Sequence, residues 1–259
     1  MNYLNAVLLN HNVNVNHINK MEYGYVTKLY RKLRGGGRIL GWYNGEQVNK
    51  DSLSSLVGEE WIDDGILNYF LKNVCGAIDK KRNGKHNICF FNSFFMQNMF
   101  DEKNKNLELR GKYNYNNVRR WGGNAGGIFK YKKVVFPVNT DNKHWTMVMI
   151  DMEKKRIHYH DSMIFNDEKK IRGVMQYLMD EHFKVYGQKL PSGWGIVQCT
   201  EHNTPMQNDG YSCGVFVCMM SLFVALGKPI TTIKEDHIAR GRNFIAWCIE
   251  KFGNYRKVH

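Results

Sequence analysis

Three stretches of this 259-residue chain carry residue types that together make a nucleophilic site: Lys143-His144-Trp145, His160-Asp161-Ser162, and Gln207-Asn208-Asp209-Gly210-Tyr211-Ser212-Cys213-Gly214. A cysteine attacks as its thiolate, and a neighbouring imidazole takes the proton and returns it to the leaving group. A carboxylate behind the imidazole fixes one tautomer and stabilises the cation. Cys213 opens the longest apolar run of the chain, which predicts a buried helix over 213–226 with the thiol at its positive end. Gly214 leaves room for a substrate backbone, and the amide of Gln207 with the Cys213 N–H would donate to a developing oxyanion. His158 and His160 compete with His144 as the base. Cys75, Cys89, Cys199, Cys218 and Cys248 read as small buried hydrophobes. On residue types alone, a structural cysteine and a structural histidine remain the alternative at Cys213 and His144.

The elements that would position these residues follow from periodicity. Strands are predicted over 134–138, 145–152 and 156–160, with Pro137 pointing to an edge or an end of the first. Glu153-Lys154-Lys155 joins the latter two as a hairpin, which puts His144 and Asp161 within a residue or two of facing each other. Helices are predicted over 26–33, 51–56 (capped by Asp51 or Ser52), 63–73, 171–186 and 236–252. Residues 10–19 are polar and repetitive, 34–38 form a flexible basic loop, 79–85 a charged loop, and 121–127 a glycine-rich mobile loop. Strands in the middle with helices before and after suggest an α+β domain.

Composition narrows the class further. Hydrophobic residues make up 43% and charged residues 24%, which excludes wholesale disorder and fibrous architectures. Six scattered cysteines lack CxxC spacing, so neither a zinc ribbon nor a disulfide scaffold is expected, and free thiols fit a reducing intracellular compartment, nucleus or cytoplasm. No secretory signal is read at the N-terminus, and the longest apolar run is too short to span a bilayer. The net charge of +13 predicts attraction to something acidic. No nucleic-acid-binding motif and no phosphate loop appear.

A longer set of blocks resembles a known family. In order they are Trp61-Ile62-Asp63-Asp64, Phe91-Asn92-Ser93-Phe94-Phe95, Val118-Arg119-Arg120-Trp121, His144-Trp145, Tyr159-His160-Asp161-Ser162-Met163, and Pro205-Met206-Gln207-Asn208 through Cys213-Gly214-Val215-Phe216. Together they resemble the SUMO-specific (sentrin-specific) proteases of the ubiquitin-like-protease family from about residue 47 to 252. The resemblance implies an α+β, papain-like cysteine protease fold of the ubiquitin-like-protease type, with a central mixed sheet flanked by helices. It implies Cys213 as nucleophile, His144 as general base and acid, Asp161 as orienting carboxylate and Gln207 as oxyanion donor. Trp61 and Trp145 would then close a tunnel over the Gly-Gly tail of a SUMO-like modifier, with no cofactor and no metal. Residues 46–259 are expected to form the catalytic domain, and residues 1–45 a segment of unknown role.

The sequence departs from the family pattern at Ser212, where aspartate is usual and the hydroxyl is expected to cap the helix, at Gly65, often acidic, and at His160, often tyrosine. Cleavage after Gly-Gly in a precursor or an isopeptide conjugate is the favoured activity. Viral-type polyprotein processing on the same fold and Cys/His/Asp acyl transfer are the alternatives.

Overall fold

The computed structural model describes residues 13–33, 41–43, 46–123 and 126–252. The basic loop 34–38 and the extreme N-terminus, the subject of the expectation about a secretory signal, lie outside the described residues. In chain order the helices are α1 Val15–Asn19, α2 Tyr25–Lys32, α3 Lys50–Ser54, α4 Asp64–Tyr69, α5 Gly76–Asn83, α6 Phe94–Met99, α7 Glu168–Tyr186, α8 Cys213–Ala225, α9 Glu235–Ala239 and α10 Gly241–Phe252. The strands are β1 Gly41–Tyr43, β2 Glu46–Val48, β3 Ile88–Phe90, β4 Lys133–Thr140, β5 His144–Asp151, β6 Arg156–His160 and β7 Gly195–Val197. The chain divides into two compact units, Met1–His86 with Pro205–His259, and Asn87–Thr204.

The second unit is built on a five-stranded mixed sheet of order β3-β4-β5-β6-β7. Its central hairpins are antiparallel, and both outer strands, β3 and β7, run parallel to their neighbours. β4 and β5 are buried along most of their length, so they read as continuous apolar runs and not as alternating ones. Phe91, Phe95, Phe136 and Tyr177 join β4, α6 and α7 in one core; the Phe91 and Phe136 rings stack at 4.9 Å. Pro137 is tolerated inside β4 because β3 pairs only with Lys133–Val135. Past that point the strand is an edge on that side. The β5–β6 turn is held by Asp151, whose Oδ1 accepts the Lys154 N–H, and Lys155 takes φ +54°.

In the first unit α8 and α10 pack against the stretch Phe70–Cys75, and most residues of all three are buried. α8 is buried at every residue, which is why its sequence shows no polar face. Asp63 caps α4 by accepting the Ile66 N–H at 2.8 Å. From there a helical path runs through a π-helical stretch, Phe70–Cys75, into α5. Two expectations change here. The segment 79–85 is not a loop: α5 continues to Asn83, and Gly84, at φ +71°, ends it. Its closing Lys80, Lys81 and Arg82 suit the negative end of the helix dipole. The predicted helix over 236–252 is two helices with a break at Arg240. A Cβ on Gly241 would sit 2.5 Å from Val215 Cγ1, so the second helix starts where glycine permits close approach to α8.

Smaller differences are also local. α3 is capped by Asn49, not by Asp51 or Ser52. Residues 15–19 of the polar repeat form a helix, capped by the Asn14 side chain, and the following segment packs against α9 and α10. The Val26 N–H donates to Asn243 Oδ1, and the Arg240 guanidinium lies 4.4 Å from the centre of the Tyr23 ring.

Candidate active site

In the Asn87–Thr204 unit the β5–β6 register pairs Met147 with His160, so His144 at the start of β5 and Asp161 just after β6 end up two positions out of register. Their side chains meet: His144 Nε2 lies 2.7 Å from Asp161 Oδ1. Asp161 is fully buried. Its Oδ1 also accepts the Met163 N–H at 2.8 Å, and Oδ2 accepts the Phe165 N–H at 3.0 Å. These contacts fix the position of the buried carboxylate. Phe165 sets its ring edge-on to the imidazole, 6.2 Å between centres. Ile164, between these donors, sits at φ +59°, a conformation that β-branched residues seldom adopt.

The competing histidines are set apart by burial. His160 is almost fully buried, and loss of hydration, with His158 stacked beside it, pushes its pKa down to about 3. Its Nδ1 pairs with Thr204 Oγ1 at 2.9 Å, while Nε2 has no hydrogen-bond partner. Burial also lowers the pKa of His158. Neither is paired with Asp161, which is bonded to His144.

In the other unit Cys213 is the first residue of α8 and is buried. The loop before it is tied down residue by residue. Asp209 Oδ1 accepts the N–H groups of Tyr211 at 2.9 Å and Ser212 at 2.7 Å. The amide of Gln207 donates to the Asp209 carbonyl at 2.7 Å. The indole N–H of Trp61, a side chain 48% exposed, donates to the Gly210 carbonyl at 3.0 Å. Ser212 does not cap the helix with its hydroxyl as expected: its backbone, at φ −91° and ψ 1°, is not the extended one that aims an N-cap hydroxyl at the first-turn N–H groups. Trp145 is buried in β5 of the Asn87–Thr204 unit.

Sequence reasoning missed three residues around these groups. Asp209 had a signal, since Asn208-Asp209-Gly210 is a turn sequence whose aspartate bonds the backbone ahead of it. Cys199 had none; its thiol donates to the Asp161 carbonyl at 3.0 Å and accepts the Asp161 N–H at 3.4 Å. Arg242 had none either; it bonds the carbonyls of Ser55 and Tyr211. Burial raises the pKa of the Cys75, Cys218 and Cys248 thiols, and that of Cys89 to about 12, which leaves them protonated and inert. Among the described residues no group of three or more His, Cys, Asp or Glu side chains is placed to hold a metal ion. No described helix is long and apolar enough to cross a membrane.

Each unit carries one part of the kind that cysteine-type peptidases use: a thiol opening a buried helix in one, and a histidine held by a buried aspartate in the other. The family model of the Ulp1 protease family, C-terminal catalytic domain, matches residues 60–253, and the chain belongs to that family. It is 28% identical to ubiquitin-like-specific protease 1 of Saccharomyces cerevisiae over 80% of its length and 31% of that protein's. It is 25% identical to human sentrin-specific protease 5 over 75% of its length and 23% of that protein's. The chain thus spans under a third of these relatives. Among solved structures, the C-terminal Ulp1 protease domain in complex with Smt3, the yeast orthologue of SUMO, superposes with a TM-score of 0.69 at 25% identity, covering 89% of this chain and 95% of that one. The fold is therefore the α+β, papain-like one of the ubiquitin-like-protease type, with its mixed sheet flanked by helices.

Proposed function

We propose that this chain is a thiol protease that cleaves after the Gly-Gly tail of a SUMO-like modifier, in precursor maturation, isopeptide deconjugation or both. The observation that carries the reading is the His144–Asp161 pair, 2.7 Å long and built on a fully buried carboxylate. A structural histidine would not need a carboxylate with both oxygens committed to fixed donors. Asp161 holds Nε2, so Nδ1 is the atom that exchanges protons with the reaction.

In this reading the Cys213 thiolate attacks the carbonyl carbon of the terminal glycine, and negative charge moves to the carbonyl oxygen. The Cys213 N–H and the Gln207 amide stabilise that oxyanion. His144, as imidazolium, gives its proton to the amine as the C–N bond breaks, leaving a thioester. His144 then takes a proton from water, whose oxygen attacks the thioester and releases the modifier's carboxylate and the thiolate. Two glycines have no side chains, so a narrow aromatic passage formed by Trp61 and Trp145 would admit them and exclude bulkier residues. The catalytic domain is residues 46–259, residues 1–45 are an N-terminal segment of unknown role, and the partner is the modifier with its conjugates. The charge of +13 suits an acidic modifier, and the free thiols suit an intracellular site, nucleus or cytoplasm.

The test is covalent capture. SUMO-like and ubiquitin proteins carrying a C-terminal electrophile are incubated with the full chain and with Cys213→Ala. The SUMO-like probe should form an adduct with the native chain alone. Failure of every modifier probe, or capture by Cys213→Ala, overturns the reading.

A further inference from the structure

The loop that carries Gln207 and leads into Cys213 has a cavity of about 450 Å³ against it, lined among others by Tyr211, Ser212, Phe216, Ile238 and Arg242. Packing on that side therefore leaves the loop space to relax. Hydrogen bonds must hold it instead. One buried side chain ties the loop to a neighbouring segment. Arg242, on α10, donates from Nη2 to the Tyr211 carbonyl at 3.0 Å and from Nη1 to the Ser55 carbonyl at 3.0 Å. Its guanidinium also lies 5.7 Å from the centre of the Tyr211 ring. Ser55 is no passive anchor: its Oγ accepts the Asp63 N–H at 3.1 Å, at the residue that caps α4, two positions after Trp61. Trp61 then reaches back to Gly210. Segment 55–63 and the nucleophile loop are thus joined at two neighbouring carbonyls, Gly210 and Tyr211, by one indole and one guanidinium.

We propose that Arg242 is a positioning residue for the oxyanion-binding loop: it clamps the Tyr211 carbonyl to that of Ser55 and so sets where the Gln207 amide and the Cys213 N–H aim. Two parallel N–H donors in a rigid plane suit this task, since one group fixes two carbonyls relative to each other. Lysine offers one freely rotating nitrogen, and so lacks two separate donors fixed in one plane. Burial lowers the pKa of Arg242, and the nearby Asp209 carboxylate works against that shift. The inference rests on the reading of Cys213 as nucleophile and Gln207 as oxyanion donor.

The experiment compares the native chain with Arg242→Lys and Arg242→Met on a SUMO-like modifier carrying a C-terminal fluorogenic amide. Three quantities are read: kcat, KM and the rate at which iodoacetamide alkylates Cys213. Alkylation needs the thiolate but no oxyanion hole. Arg242→Lys keeps the charge, so alkylation and KM should stay within about twofold while kcat falls about tenfold. Arg242→Met should lose about 10²-fold in kcat with KM held. Unchanged kcat in Arg242→Lys overturns the inference. So does a fall of kcat and alkylation in equal proportion, which marks a loss of folded protein. If Arg242→Met does not fold, Arg242→Lys decides alone. Cleavage that survives Cys213→Ala would instead overturn the nucleophile reading, a separate result.

Discussion

Asp161 does three jobs with two oxygens. It bonds the His144 imidazole and accepts the N–H groups of Met163 and Phe165. Asn at this position has one oxygen and a donor where the second acceptor stood. Asp161→Asn should therefore lose both the imidazole tautomer and one backbone bond. Turnover should fall about 10³–10⁴-fold, with a stability loss of about 1–3 kcal/mol from the unsatisfied donor. Steady-state kinetics and thermal melting check the two halves separately. Cys199 acts on the same aspartate through its backbone. Cys199→Ala should cost about 1 kcal/mol and lower kcat with KM unchanged. Equal activity would remove Cys199 from the supporting set.

At the scale of elements, much of the path to the site was legible in the sequence. β6 begins and ends where its apolar pattern does, α8 follows its apolar run, and the charged turn 153–155 fixed the hairpin that brings His144 to Asp161. What was not legible depended on packing between distant segments. The break at Arg240 follows from Gly241 meeting Val215, and no local signal announces it. The helical continuation through residue 83 was hidden by charges that belong to a solvated last turn. Arg242 and Cys199 were invisible because their partners are carbonyl and amide groups, which leave no trace in a sequence.

Two predictions belong to this scale. Gly241→Ala must push aside Val215 and should cost about 1–3 kcal/mol in a denaturant melt, as overpacking does. The second concerns acid. His160 on β6 titrates at about 3 when folded, against about 6.5 when exposed. Between those values the unfolded chain binds the extra proton, so stability falls as pH drops from about 6.5 toward about 3. His160→Asn cannot take that charge, and its melting temperature should vary less with pH across the window. A slope equal to the native chain's would contradict the assignment.

For the whole molecule, the net charge of +13 bears on encounter and not on chemistry. If an acidic modifier is the partner, the association rate should fall as salt rises, because screening shortens the range of attraction to about 8 Å at physiological ionic strength. The chemical step should be indifferent to salt. Stopped-flow binding to Cys213→Ala measures the first free of turnover, and a rate flat with ionic strength would count against electrostatic docking.

The most direct measurement is of the acyl intermediate itself. A SUMO-like precursor is mixed with the full chain, quenched in acid within a turnover, and the digested protein is read by mass spectrometry. The account predicts a thioester between the Gly-Gly carboxyl and Cys213 that disappears at longer times as the mature modifier accumulates. Cleavage with the acyl group on another residue, or with no covalent species on the cysteine at any time, would contradict it.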